Sequence, residues 1–337
     1  MASSGKNKPC PCGSGEIYEN CCLIEDALSA ARMDEKSFSQ AVMSVMENRK
    51  FSSLEEAQSE LDRLTRAKNI APLDDFCGLS PEQIYRLLYY PFDTPRLVDF
   101  NLELTRFPDS PFFRLLSFLV KGMARGDLKA TTLGNLPPAF VREAAQWYYG
   151  EKGYQERRRY ISYRTETDFS VFNTVRVVAE MAGLLRKYKK RFHLTKDGKV
   201  VAENGMDGMS FIKIFKTYTR KFNWAYNDRY PDLHIVQESF LFMLYILTKY
   251  GGTFRPISFY EDLFLTAFPK EIRDIPDVSF DSREDALKRC FSLRSISRFG
   301  HFFGFVEIND PENARWIGKL SVKKTPFLDD WVRFSVS

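Results

Sequence analysis

Histidine is scarce. His193, His234 and His301 are the three in 337 residues. That excludes most imidazole-based chemistry, and no H-E-x-x-H, G-x-S-x-G, G-x-G-x-x-G or P-loop pattern is present either. The acidic pairs Asp74-Asp75 and Asp329-Asp330 have no neighbour to tune them and read as solvated loop carboxylates. The sequence therefore reads as non-enzymatic, and a metal-dependent, nuclease-like site assembled from separated acids is the enzymatic alternative. Long apolar runs are also missing. The longest, Phe240 to Leu247, suits a buried helix segment and falls short of the ~18 residues of a membrane span. Residues 1–9 are polar and basic, with no export signal, so a cytoplasmic protein is expected. Charge imbalance is small, at +5. Only local clustering of cations can therefore point to nucleic acid.

Cysteine is sparse except in one place. Cys77 and Cys290 stand alone and read as small buried residues. Cys10, Cys12, Cys21 and Cys22 crowd into thirteen residues with C-x-C-x8-C-C spacing. In a reducing compartment such a cluster indicates a metal site, because four soft thiolates suit a closed structural zinc centre. Pro9 and Pro11 stiffen the first ligand pair, and Gly13-Ser14-Gly15 allows a sharp turn. Ordering about thirteen residues costs roughly 13–26 kcal/mol of backbone entropy. The few apolar side chains return only about 1.5–3 kcal/mol each. A structural zinc ion contributes roughly 10–16 kcal/mol, so the segment is expected to order only around metal.

The run Pro9-Cys-Pro-Cys-Gly-Ser-Gly15, followed by Tyr18 and Cys21-Cys22, resembles the SEC-C motif. That motif is the metal-binding tail of the translocation ATPase SecA and occurs in many bacterial proteins. The resemblance spans about residues 5 to 23. It implies Cys10, Cys12, Cys21 and Cys22 as ligands of one zinc ion, with iron as the alternative, and a module that docks a protein partner. In SecA that partner is the chaperone SecB. Here Glu16, Glu19 and Asn20 stand where basic residues typically follow the glycines.

The rest of the chain is expected to be mainly α with small β-hairpins, an α+β class. Residues 1–23 form the metal module, 24–105 a helical region, 106–205 a winged-helix-like domain, and 206–337 a helical core with a second such domain. Helix signals include Ser53-Leu-Glu-Glu56 and Ser80-Pro81, each placing a serine cap before a helix. Further helices are expected from Ser110 to Gly126, Pro138 to Tyr149, and Asp168 to Leu185. A hairpin over 187–201 follows, with Lys196-Asp-Gly198 as its turn signal. Phe291 to Phe303, Phe305 to Ile308 and Gly318 to Pro326 look like a looser second copy.

A winged helix reads duplexes with its third helix and touches phosphates with its wing. Residues 151–200 hold thirteen Lys/Arg against six Asp/Glu. The candidate nucleic-acid contacts are Arg157, Arg158, Arg159, Lys187, Lys189, Lys190 and Arg191, with Arg294, Arg298, Lys323 and Lys324 in the second copy. On the third helices, Asn173, Arg176 and Glu180, and then Arg294, Arg298 and His301, are expected to face outward. Two readings follow: a body that contacts other proteins, or a DNA- or RNA-binding regulator.

Overall fold

The computed structural model describes residues 17, 35–48, 51–226, 228, 230–275, 282–310 and 320–336. The chain divides into two compact units: residues 1–97 with 263–267 and 336–337, and residues 98–262 with 268–335. It is mainly helical with small antiparallel sheets. Among the described residues no helix is long and apolar enough to cross a membrane.

The first unit contains α1 (Glu35–Asn48), α2 (Leu54–Ile70) and α3 (Pro81–Tyr89). Ser53 caps α2, its hydroxyl accepting from the Glu56 N–H at 3.2 Å, with Glu55 and Glu56 at the positive end of the helix dipole. At α3 the capping box is complete: Ser80 accepts from the Gln83 N–H, and the Gln83 side chain accepts from the Ser80 N–H at 2.8 Å. Pro81 sits at the first helical turn, where its missing N–H has no helix partner to lose. Ile84, Leu87 and Leu88 form the buried stripe of α3.

The second unit contains two copies of one arrangement. The first runs α4 (Pro111–Ala124), β2 (Leu128–Lys129), α5 (Pro138–Arg158), α6 (Ser170–Met181), β3 (Leu185–Tyr188) and β4 (Arg191–Leu194). The second runs α10 (Phe240–Tyr250), β5 (Arg255–Pro256), α11 (Ile257–Ala267, whose residues 263–267 are grouped with the first unit), α12 (Arg283–Phe291) with a π-helical continuation (Ser292–His301), then β6 (Val306–Asn309) and β7 (Ser321–Lys324). The strand orders are β2-β4-β3 and β5-β7-β6. In each sheet the last strand lies between the first and the second. A short helix follows each final strand: α7 (Lys196–Asn204) and α13 (Pro326–Trp331). Strand β1 (Val98–Phe100) pairs antiparallel with β8 (Val332–Phe334), joining the two ends of the unit.

Helix α8 (Gly208–Arg220) and the short α9 (His234–Glu238) lie between the copies in sequence. Phe211, Phe215 and Tyr218 recur at about one-turn intervals and are buried. They meet Trp331, Phe299 and Phe303 at ring separations of 4.5, 5.8 and 4.9 Å. Each fully buried Phe contributes about 1.5–3 kcal/mol, so the many phenylalanines serve largely as core.

Two local expectations are corrected. The expected turn at Lys196-Asp-Gly198 is instead the first turn of α7, because the Thr195 hydroxyl accepts from the Gly198 N–H at 3.1 Å and caps the helix. The hairpin turns at Lys189-Lys190, both in the left-handed region at φ 47° and 59°. Helix α5 does not stop at Tyr149. Gly150, at φ 67°, makes a kink and the chain resumes helix to Arg158.

Candidate functional site

The β3–β4 hairpin is short and its side chains alternate. Phe192 is buried, while Arg186, Lys187, Tyr188, Lys189, Lys190 and Arg191 are exposed. Lys187 Nζ lies 3.3 Å from the Gly134 carbonyl oxygen, and Arg191 donates to the Asp127 carbonyl at 3.0 Å. Lys189 Nζ lies 5.3 Å from the Tyr188 ring centroid, within cation–π range. Arg186, Lys196 and Lys199, absent from the expected contacts, line a neighbouring open cavity of about 430 Å³. From residue 186 to 199 the structure thus gathers seven cations: Arg186, Lys187, Lys189, Lys190, Arg191, Lys196 and Lys199. The one carboxylate there, Asp197, pairs with Lys213 at 2.9 Å. Arg186 begins the linear run Arg186-Lys-Tyr-Lys-Lys-Arg191, directly before Lys187. Lys196 and Lys199 join it because α7 places them with Arg186 around one cavity.

The other tract is less concentrated. Arg157 lies over the Tyr149 ring at 4.2 Å and Arg158 lies 5.8 Å from Tyr154, while Arg159 is exposed at the C-cap of α5.

Of the third-helix side chains expected to face outward, Asn173, Arg176 and Arg294 are buried, whereas His301 is exposed as expected. Glu166 is completely buried and accepts from Arg176 Nε at 2.8 Å, from the Asn173 amide at 2.8 Å and from the Leu136 N–H at 2.6 Å. Arg176 also reaches Glu180 at 2.9 Å. In the second copy Arg294 is 1 % exposed and forms a two-pronged pair with Asp228, both contacts at 2.9 Å. Arg294 is therefore corrected from a surface cation to a core ion pair. A charge unmatched in that setting costs several kcal/mol, which is why both arginines bring their carboxylates inside. Arg298 contacts the same Asp228 at 3.2 Å and the Tyr226 carbonyl at 3.2 Å, and His301 is exposed. On the second hairpin Lys324 is bound by Asp329 at 2.7 Å and the Thr248 carbonyl at 3.1 Å. Lys323 Nζ lies 5.9 Å from the Phe254 ring.

Cys10, Cys12, Cys21 and Cys22 lie outside the described residues. Among the described residues no group of three or more His, Cys, Asp or Glu is placed to hold a metal. Cys77 and Cys290 are buried thiols, and burial pushes Cys290 up to about 12.

Residues 7–23 match the family described as SEC-C motif, a metal-binding module. Comparisons with curated proteins and with solved structures find no match.

Proposed function

We propose that this chain is a non-enzymatic, metal-binding interaction protein. Its SEC-C module docks a protein partner, and two winged-helix units supply further protein contacts. Within the module, Cys10, Cys12, Cys21 and Cys22 hold one zinc ion, with iron as the alternative. A set of four thiolates leaves no open coordination position, which favours a structural role. The cysteine count and spacing support a reducing, cytoplasmic setting. The proposed boundaries are 1–23, 24–105, 106–205 and 206–337. The winged-helix reading rests on the helix–strand–helix–helix–strand–strand order of both copies and on their shared strand order.

One observation carries the choice of protein over nucleic acid. The polar side chains that a reading helix would present to base edges are used internally, Asn173 and Arg176 on Glu166 and Arg294 on Asp228. What remains outside is the first wing. Its tip places lysines at two left-handed positions, where an Asn-Gly pair is favoured, so conformational preference is sacrificed for charge. A basic wing with no base-reading helix suits an acidic protein surface.

The seven-cation group favours one second reading, non-specific contact with DNA or RNA phosphates. The two separate in one experiment. Cross-linked complexes of the full chain are compared with and without nuclease, beside a Cys21→Ser/Cys22→Ser variant. A protein partner retained after nuclease and lost from the variant supports docking. Complexes that vanish with nuclease and persist in the variant support the second reading.

A further inference from the structure

A cavity of about 250 Å³ opens between the two copies of the second unit. Helix α5 contributes Tyr148, Tyr149 and Arg157, the start of α6 contributes Ser170 and Thr174, and the π-helical segment contributes Arg298 and His301. Seven of its fifteen lining residues are Phe, Tyr or Trp, and none is Asp or Glu.

The wall is ordered by its own bonds. Tyr218 is buried and donates its hydroxyl to the Arg298 carbonyl at 2.5 Å. Trp224 donates its indole N–H to the Tyr218 carbonyl at 2.9 Å, which fixes the ring on the cavity side. Arg298 is aimed from behind by Asp228. Arg157 is different. Its guanidinium carbon sits 4.2 Å from the Tyr149 ring centroid, and among the described residues no carboxylate pairs with it. Surrounding protein desolvates the His301 ring and holds its imidazole below the ordinary value, although the residue keeps surface exposure. The π-helical geometry of Ser292–His301 adds an independent sign, since such windings are uncommon and concentrate at functional sites.

We propose that this cavity binds a small, planar aromatic anion, its ring between the aromatic walls and its acidic group on Arg157 and Arg298. Aromatic walls without a carboxylate select a flat ring bearing negative charge over a cation or an aliphatic chain. The volume, about 250 Å³, lies just below the ~300–1,000 Å³ of typical ligand sites, which suits one ring system and no polymer segment. The shared chemistry has two sources, a nucleoside monophosphate and an aromatic carboxylic acid. The site uses neither the wing nor the cysteine module, so it stands or falls separately from the docking proposal.

Calorimetric titration of the full chain tests this with AMP, indole-3-acetate, adenosine and ribose 5-phosphate. At least one of the two aromatic anions is expected to bind one-to-one. Adenosine and ribose 5-phosphate, each lacking the charge or the ring, should bind about tenfold or more weakly than AMP if AMP is the better probe. AMP outcompeting indole-3-acetate assigns the nucleotide class, and the reverse assigns the carboxylic acid class. Arg157→Gln, at an exposed position, should weaken binding about tenfold with unchanged thermal unfolding. Ser170→Trp, which fills the mouth from an exposed position, should abolish it. The proposal is overturned if neither aromatic anion binds at about 5 mM, or if binding survives both substitutions undiminished. It is equally overturned if ribose 5-phosphate binds as well as AMP while indole-3-acetate does not bind.

Discussion

The hydroxyl of Thr195 donates to the carbonyl oxygen of Gly183 at 2.7 Å. The same bond recurs in the second copy, where Thr325 donates to Gly304 at 2.6 Å. Both glycines close a third helix in the left-handed region, at φ 81° and 79°, and the next residue's N–H reaches back five residues, Leu184 to Ala179 and Phe305 to Gly300. A helix end, the start of the first hairpin strand and the end of the last are thus joined at one point in each copy. Thr195→Val and Thr325→Val should each lower stability by about 1–2 kcal/mol, Thr195 more because it also caps α7. Urea unfolding midpoints equal to the parent in both variants would remove this join from the account.

The core ion pairs make a second prediction. Glu166→Ala removes the buried partner of Arg176 Nε, leaving Glu180 as its one remaining carboxylate, and strips the acceptor from Asn173 and the Leu136 N–H; it should cost about 3–5 kcal/mol. Adding Arg176→Met should recover much of that loss, since the pair's value lies in mutual neutralisation. Chemical denaturation of the single and double variants reads both numbers. A double variant no more stable than Glu166→Ala contradicts it.

The tip of the β3–β4 hairpin offers a case where charge and conformation oppose each other. Replacing Lys189-Lys190 by Asn-Gly suits the two left-handed positions and should raise stability by about 1 kcal/mol. It should also weaken partner binding. A thermal melt shows the first effect, and a stability gain with unchanged binding would separate the wing from docking.

Glu261 supplies a pH dependence. Its side chain is buried, and burial raises its carboxyl above the ordinary value while the Ser292 hydroxyl donates to it at 2.6 Å. The folded state therefore binds this proton more readily than the unfolded state. Stability falls as pH rises from the unfolded carboxylate value, near ~4.3, through the raised folded value. Glu261→Gln removes that fall. The variant should exceed the parent in stability at neutral pH and lose the advantage below about pH 4. Unfolding curves across pH 3.5–8 check the sign. A variant less stable than the parent at neutral pH, with equality in acid, would show that the charged form is the favoured one.

Thiol reactivity tests the metal ligands. Metal-loaded protein should show no fast thiols, because Cys77 and Cys290 are buried and the other four are bound. Chelation should release four fast thiols and one metal equivalent. Fast reaction of all four before chelation would contradict the ligand assignment.

Much was legible in the sequence where chemistry is local. The Ser80-Pro81 start, the strand within Gly318–Pro326 and the SEC-C match over residues 7–23 all announce themselves within a few residues. The third-helix faces did not, because periodicity shows which side chains share a face and not what that face meets. Arg176 finds Glu166 ten residues back, and Arg294 finds Asp228 sixty-six residues back. Lys189-Lys190 carries no turn signal, whereas Lys196-Asp-Gly198 does. Tertiary pairing of β3 with β4 and the Thr195 cap reverse that preference. The aromatic cavity was equally hidden, since its walls come from segments separated by more than a hundred residues.

The central claim, a metal module and a basic wing that together dock a protein, is tested most directly by quantitative capture with three baits under nuclease treatment. The baits are the full chain, its Cys21→Ser/Cys22→Ser variant and its Lys189→Asn/Lys190→Gly variant. One protein is expected in near-stoichiometric amount with the full chain, absent from the cysteine variant and reduced several-fold with the Lys189→Asn/Lys190→Gly variant. Equal recovery by all three baits, or no protein recovered by any, would contradict it.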